Sequence, residues 1–125
     1  MSNIVVSPHY LSTNAGIEIL QNGGNAIDAA IGTNIVQGVV APETCGIGGD
    51  LFSLIWINGE STPYCLDSSG YAGSNVDISQ LSTQESIPLD HPMSVTVPGA
   101  VKGWFCIHVR FGKLSFDDIF SHAIK

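Results

Sequence analysis

The stretch from Ala26 to Val40 carries only one charged residue, Asp28, close to its beginning. Asn25 is a good helix N-cap, and Asp28 would lie at the third helical position, near the positive end of the helix dipole. We expect this helix to continue to about Gly38. A helix that is apolar on nearly every side is usually buried over most of its surface. The rest of the chain must therefore cover it, as a central core helix, with other helices and strands.

A shorter helix is predicted before this core helix. Ser12 or Thr13 can cap its beginning, and its apolar residues continue to about Gln21. The sequence Asn22-Gly23-Gly24 follows, and glycine ends helices because it adopts the left-handed conformation without strain. The two helices are therefore expected to be joined by a tight glycine turn.

The second half of the chain mixes predicted strands and helices. Asn58-Gly59 is a strong hairpin signal, and Ser115 with Asp118 three residues later resembles a capping box. The predicted elements are a strand at 52–57, a return strand at 63–66, a polar segment at 68–90 with a short helical turn near 78–81, a strand at 94–97, a helix at 99–110 and a last helix reaching Lys125. Helices and strands that share one core indicate an α/β (α+β) fold, with residues 1–125 in one domain.

The composition limits the partners of this chain. Charged residues make up 12% of its 125 residues, and the formal net charge is −7. Small free-standing domains usually carry about a quarter to a third of charged residues on their surface, so we expect part of this surface to be covered by more protein. The basic residues do not cluster, which argues against nucleic acid as a partner. They are Lys102, Arg110, Lys113 and Lys125.

The cysteines and histidines form no recognisable metal or disulfide pattern. Cys45, Cys65 and Cys106 are odd in number and lack a C-x-x-C spacing, and the four histidines are scattered. Cys45 stands beside a glycine-rich loop, yet a small buried side chain is the simpler interpretation. We expect no metal and no cofactor. The first residues lack a signal-peptide pattern, and no apolar run reaches the roughly 18 residues that span a bilayer. A cytoplasmic setting without a membrane partner is expected.

A glycine-rich loop lies between the core helix and the first predicted strand. Gly46, Gly48 and Gly49 fall within four positions, and Asp50 follows them. Glycines allow a positive φ and a close approach of another group. The loop follows a helix and precedes a strand, the reverse of a dinucleotide-binding fingerprint, and no Lys-Ser/Thr pair follows it for a phosphate-binding loop. Two interpretations stay open: a close crossing of helix and strand, or a loop that lines a substrate site.

Five stretches of the chain carry a family resemblance. They are Val6-Ser7-Pro8-His9, Gly23-Gly24-Asn25-Ala26, Gly38-Val39-Val40-Ala41-Pro42, the glycine-rich loop, and Ser94-Val95-Thr96-Val97-Pro98-Gly99. In this order and at these separations they resemble the N-terminal part of the γ-glutamyltransferase (γ-glutamyl transpeptidase) family of N-terminal-nucleophile hydrolases. The resemblance covers about Val5 to Lys125. It implies that this chain is the N-terminal piece of a four-layer αββα sandwich.

The resemblance implies an activity that this chain does not contain by itself. Family members are made as one longer precursor, which cuts itself before a Thr that then serves as nucleophile, with its own amine as general base. No threonine of this chain stands in the family's Thr-Thr-His cleavage sequence, and the Gly-Gly pair that stabilises the oxyanion belongs to the later subunit. We therefore expect a fragment of an amidohydrolase or acyltransferase, related to glutathione metabolism, with no catalytic residue and no activity alone.

The expected partner is the missing C-terminal segment or small subunit of the same precursor, and a homo-oligomer is also allowed. The alternative is a free-standing, non-enzymatic α/β scaffold or partner module.

The resemblance also places a substrate-facing segment at Leu66-Asp67-Ser68-Ser69-Gly70-Tyr71-Ala72-Gly73. Members that transfer γ-glutamyl groups read Leu-Asp-Gly-Arg-Glu-Thr-Ala-Pro here, and the Arg grips the α-carboxylate of the substrate through paired hydrogen bonds. Ser69 stands at the position of that Arg, and Tyr71 stands where a second branch of the family has its own Arg. We therefore expect the substrate to be a small amide, either a γ-glutamyl-like compound or another amide. Its predicted binding residues are Ser69, Tyr71, Gly48, Gly49 and Asp50.

Overall fold

The computed structural model describes residues 3–77, 79 and 86–124, and it combines helices with a small antiparallel sheet. The described elements are α1 (Tyr10–Gln21), α2 (Ala26–Val40), β1 (Leu51–Ile55), β2 (Tyr64–Ser68), a short 3-10 helix (Pro92–Ser94), α3 (Ala100–Phe111) and α4 (Phe116–Ile124). In the sheet, Leu51 pairs with Ser68 and Ile55 pairs with Tyr64. This mixture confirms the predicted α+β class.

Helix α2 is the centre of the fold, as its lack of charge predicts. It packs against α1, α3 and α4. Its side chains join one buried cluster with residues of the other helices and of β1, whose members are Ile19, Ala29, Ile31, Ile35, Ile55, Ala100, Trp104, Ile107 and Ile119. The helix ends at Val40, two residues beyond the predicted Gly38.

The beginning of α2 is also an anchor for the end of α3. Asn25 and Asp28 form the predicted capping box. Asp28 is fully buried, and its carboxylate also accepts the backbone N–H of Lys113 (3.0 Å) and of Leu114 (3.2 Å). The Asn25 side-chain amide donates to the carbonyl of Phe111 at 2.6 Å. One capping pair therefore fixes the turn between α3 and α4.

Helix α1 begins earlier than predicted. His9 is its N-cap, and the His9 Nδ1 accepts the N–H of Leu11 at 3.2 Å. Ser12 is buried inside the helix and donates its hydroxyl to Gln37 Oε1 at 2.8 Å, so the prediction that Ser12 or Thr13 caps the helix is wrong. The glycine stop is confirmed, because Gly23 has a φ of 91°.

The hairpin is confirmed, whereas one other predicted strand is wrong. Gly59 has a φ of 88°, and the N–H of Glu60 donates to the carbonyl of Ile57 at 3.1 Å. The predicted strand at 94–97 is absent: 92–94 form the 3-10 helix, and 95–99 contribute to no strand in the described part of the chain. The helical turn predicted near 78–81 falls, apart from Ser79, outside the described residues.

One face of the hairpin is packed against the core, and the other is exposed. Leu51, Ile55 and Leu66 face α3 and join the core. The opposite face of β1 leaves Phe52 67% exposed and Leu54 72% exposed. Trp56, just after the strand, is 63% exposed. Among the described helices, none has the length and apolar character needed to cross a membrane.

Candidate functional site

Three segments meet where α3 begins. They are the end of the glycine-rich loop at 49–50, the residues that follow β2 at 69–71, and the stretch 96–100. The carbonyl of Gly49 accepts the N–H of Gly99 at 3.0 Å and the N–H of Ala100 at 2.9 Å. The first N–H groups of a helix lack partners within the helix, so this carbonyl takes the place of a side-chain cap and ties the loop to α3.

The carboxylate of Asp50 joins the other two segments. Its Oδ1 accepts the backbone N–H of Gly70 at 2.8 Å and the hydroxyl of Thr96 at 3.1 Å. An ionised acceptor makes shorter and stronger hydrogen bonds than a neutral one. Asp50 is exposed, so this carboxylate also faces outward.

Backbone contacts hold the same segments close together. A Cβ added at Gly70 would overlap the carbonyl oxygen of Val97, and one added at Gly99 would overlap the carbonyl oxygen of Ser68. The hydroxyl of Ser68 donates to the carbonyl of Gly99 at 2.8 Å. The N–H of Val97 donates to the carbonyl of Tyr71 at 3.0 Å. Glycine is therefore required at 70 and 99 by the crossing itself.

Ser69 is engaged in a local turn. Its hydroxyl donates to Asp67 Oδ1 at 2.6 Å, and its N–H donates to the same oxygen at 2.9 Å. These bonds from the Ser69 hydroxyl and N–H hold the pKa of Asp67 below its usual range, since they favour the ionised carboxylate. The Ser69 hydroxyl thus already donates its hydrogen bond to Asp67. Ser69 itself is exposed.

The remaining predicted site residues lie at the edge of this group. The side chain of Tyr71 is 87% exposed, while its backbone carbonyl is bonded to Val97. Gly48 is exposed, and a Cβ added to it would meet nothing within 4 Å. Gly49 and Asp50 therefore enter the hydrogen-bonded group directly, Ser69 and Tyr71 flank Gly70, and Gly48 stays outside it.

The glycine-rich loop packs closely against the end of α2. A Cβ added at Gly38 in α2 would lie 3.3 Å from the Cα of Gly46, so the loop packs tightly against the end of that helix. The loop glycines do not take a positive φ: among the described residues, those with positive φ are Gly23 and Gly59. The glycine that this close packing requires is Gly38, since a Cβ added at Gly46 or Gly48 would meet nothing within 4 Å. Both interpretations of the loop stay predictions.

Thr96, Gly70 and Gly99 were missed as members of the site. Thr96 lies in the stretch 94–97, whose alternation predicts a strand. A strand residue is not expected to donate its hydroxyl to a distant loop, so the bond from Thr96 to Asp50 was not predicted. The described cysteines, with Cys45 half-buried, are free thiols, and the described residues hold no group of His, Cys, Asp and Glu that could bind a metal.

The sequence matches the family model described as Gamma-glutamyltranspeptidase over residues 12–125. The chain belongs to the γ-glutamyltranspeptidase family. It is 38% identical over 121 residues to a relative named glutathione hydrolase-like YwrD proenzyme from Bacillus subtilis, and this match covers 96% of the chain and 23% of the relative. It is also 38% identical over 102 residues to an oxamate amidohydrolase proenzyme from Klebsiella pneumoniae, covering 81% of the chain and 19% of that relative.

The fold matches solved γ-glutamyltranspeptidases as well. The γ-glutamyltranspeptidase from Pseudomonas nitroreducens complexed with L-DON superposes with a TM-score of 0.87 at 32% identity, over 98% of this chain and 38% of that one. The family's N-terminal-nucleophile hydrolase α/β fold is therefore the fold to which these helices and the hairpin belong. The chain spans about a fifth of the length of the curated γ-glutamyltranspeptidase relatives reported above.

Proposed function

We propose that this chain forms one wall of the acyl-binding site in an amide-cleaving enzyme of the γ-glutamyltranspeptidase family. The substrate is a small amide whose acyl group is not held here through an α-carboxylate. The observation that carries the proposal is the convergence of segments 49–50, 69–71 and 96–100 at the Asp50 carboxylate, because it brings the predicted residues Gly49, Asp50, Ser69 and Tyr71 to one place.

The charges at this wall support an acyl group without an α-carboxylate. Ser69 stands where γ-glutamyl-transferring members have the Arg that the resemblance implies, and its hydroxyl is bonded to Asp67. The wall thus offers two carboxylates, those of Asp50 and Asp67, and in the described part of the chain neither has an ion-pair partner. Bringing a substrate carboxylate beside them would place like charges together, which is unfavourable.

Arg110, Lys113 and Lys102 take no part in the described hydrogen bonds of this wall. Arg110 lies over the ring of Tyr64, with 4.2 Å between its Cζ and the ring centroid, at the opposite end of β2 from Ser68. Lys113 follows α3 at its far end from Ala100. Lys102 lines an outer groove of α3 with apolar side chains. None of these placements supplies the arginine that grips a γ-glutamyl group.

The names of relatives allow a substrate other than a γ-glutamyl compound. One relative at 38% identity is called an oxamate amidohydrolase, and another is called glutathione hydrolase-like. Both are proenzymes and are several times longer than this chain. We accordingly place the nucleophile, its amine base and the oxyanion donors in the rest of such a precursor. That remainder is the proposed partner of this segment. We also propose that the protein is cytoplasmic and that it forms a homo-oligomer.

A comparison of two anilides tests the function. The full polypeptide that carries this segment is purified and assayed with γ-glutamyl p-nitroanilide and with butyryl p-nitroanilide, which lacks the α-amino and α-carboxyl groups. We expect amide cleavage, with a kcat/KM for the butyryl compound at least equal to that for the γ-glutamyl compound. A preference of tenfold or more for the γ-glutamyl compound would refute the substrate class, and no cleavage of either would refute the function.

A further inference from the structure

Gly70 lies between the two side chains that the proposed function assigns to the substrate, Ser69 and Tyr71. Neither of these side chains is packed: Ser69 is exposed, and Tyr71 is 87% exposed. Their placement therefore depends on how the backbone of 69–71 is held. The bonds that reach this backbone from outside the segment's own turn are the Gly70 N–H to Asp50 and the Tyr71 carbonyl to Val97.

We propose that Asp50 is a positioning residue for the acyl-binding wall, an inference that rests on the proposed function. Its carboxylate holds the Gly70 N–H and the Thr96 hydroxyl on one oxygen, 2.8 Å and 3.1 Å away, and so locks segment 69–71 against segment 96–99. The two bonded groups lie 20 and 46 residues from Asp50 in sequence. Asp50 thus adds a side-chain link between two segments that the bond from the Val97 N–H to the Tyr71 carbonyl also joins.

Asp50 also stands at a rigid point of the fold. The residue before it, Gly49, has its carbonyl bonded to the first N–H groups of α3, and the residue after it, Leu51, begins β1. Leu51 packs against Gly103 of α3, where a Cβ would lie 2.6 Å from Leu51 Cδ2. The carboxylate is therefore carried by a backbone that is fixed on both sides, which is the condition for holding a neighbouring segment in place.

The described bonds of Asp50 fit a positioning role. Both are acceptor bonds to groups of the wall. A residue that shapes the acyl-binding wall contributes to the ground state and the transition state alike. Its loss should raise KM and leave kcat nearly unchanged, because uniform binding does not change the chemical step.

The test uses matched variants of the full polypeptide at Asp50 and Thr96. Asp50→Ala removes the acceptor, while Asp50→Asn keeps one carbonyl oxygen that can accept both bonds. Thr96→Val removes one donor at constant shape, and Thr96→Ser restores it. For each variant, hydrogen exchange of the peptide containing Gly70 is followed by mass spectrometry, and kcat and KM are measured with butyryl p-nitroanilide.

For Asp50→Ala we expect faster exchange at 68–72 and a KM raised tenfold or more, with kcat changed less than threefold. Thr96→Val should raise KM severalfold, and Asp50→Asn and Thr96→Ser should stay within threefold of the parent. If Asp50→Ala does not fold, the pair Thr96→Val and Thr96→Ser decides the same question.

Three results would overturn the inference: unchanged exchange in a folded Asp50→Ala protein, faster exchange with an unchanged KM, or an equal loss in Asp50→Asn and Asp50→Ala. A parent protein that cleaves no amide would instead refute the proposed function. In that case the exchange measurement still decides whether Asp50 holds segment 69–71.

Discussion

Ser69→Arg is the substitution that most directly probes the substrate specificity of the wall. The new guanidinium can form charge-assisted hydrogen bonds with the α-carboxylate of a γ-glutamyl substrate, which contribute about 1.5–3 kcal/mol. Asp67, whose carboxylate now accepts both bonds from Ser69, competes for the same guanidinium. Asp67 is exposed, so solvent screening keeps its attraction for the guanidinium weak. The bonds to the substrate then correspond to about 10- to 150-fold in affinity.

The assay is the ratio of kcat/KM for γ-glutamyl p-nitroanilide to that for butyryl p-nitroanilide. In the full polypeptide, Ser69→Arg should raise this ratio about tenfold, chiefly through a lower KM for the γ-glutamyl compound. Ser69→Ala is the matched control, since it removes the hydroxyl without adding charge, and it should leave the ratio within about threefold, near the value of a single weak hydrogen bond. A ratio that stays constant in a folded, active Ser69→Arg protein would refute the placement of Ser69 at the acyl group.

The 125-residue chain by itself should cleave neither anilide, and turnover by the purified chain would contradict the location of the nucleophile in the rest of the precursor. The isolated chain should also self-associate and bind an apolar dye, and Phe52→Ser should reduce both; a monomer in sedimentation that binds no dye would contradict this expectation. In urea unfolding, Asp28→Ala should lower the free energy of unfolding by about 2–5 kcal/mol, since it leaves partly buried N–H groups without an acceptor, whereas Asp118→Ala, at an exposed position in the first turn of α4, should lower it by about 0.3–1 kcal/mol. The pKa of Asp67 should rise toward its usual value in Ser69→Ala, because the largest cause of its low pKa is the Ser69 hydroxyl; an unchanged titration midpoint in carboxyl NMR would exclude that cause.

Local signals in the sequence were sufficient for the start of α2, the end of α1 and the hairpin. The pair Asn25 and Asp28 predicts where α2 begins, because both sides of the capping box lie within one turn. Gly23 and Gly59 predict the stop of α1 and the hairpin turn, since each takes the positive φ that other residues avoid. These features depend on neighbours in sequence, and for that reason they can be read without the fold.

The connections of the candidate site could not be predicted in this way. Asp50 stands beside the predicted glycine-rich loop, but its partners Gly70 and Thr96 are 20 and 46 residues away. The alternation around Thr96 favours a strand, and the segment instead bonds to a loop because Val97 lies against Tyr71 and Gly70. The second role of Asp28 was hidden for the same reason, since its bonds to Lys113 and Leu114 are tertiary contacts.

The candidate wall and the uncovered apolar surface are parts of one hairpin. Strand β1 begins directly after Asp50, and β2 ends directly before Ser69, so the wall lies at one end of the two strands. The inner face of those strands packs on α3, while Phe52 and Leu54 point outward and are mostly exposed. Burying such side chains contributes roughly 1.5–3 kcal/mol each, so protein that covers the outer face is stabilised there. A strand of five residues is only about 17 Å long, so the exposed apolar side chains of β1 lie near Asp50 and Ser69. A protein segment that we expect to cover this face would therefore lie beside the proposed wall.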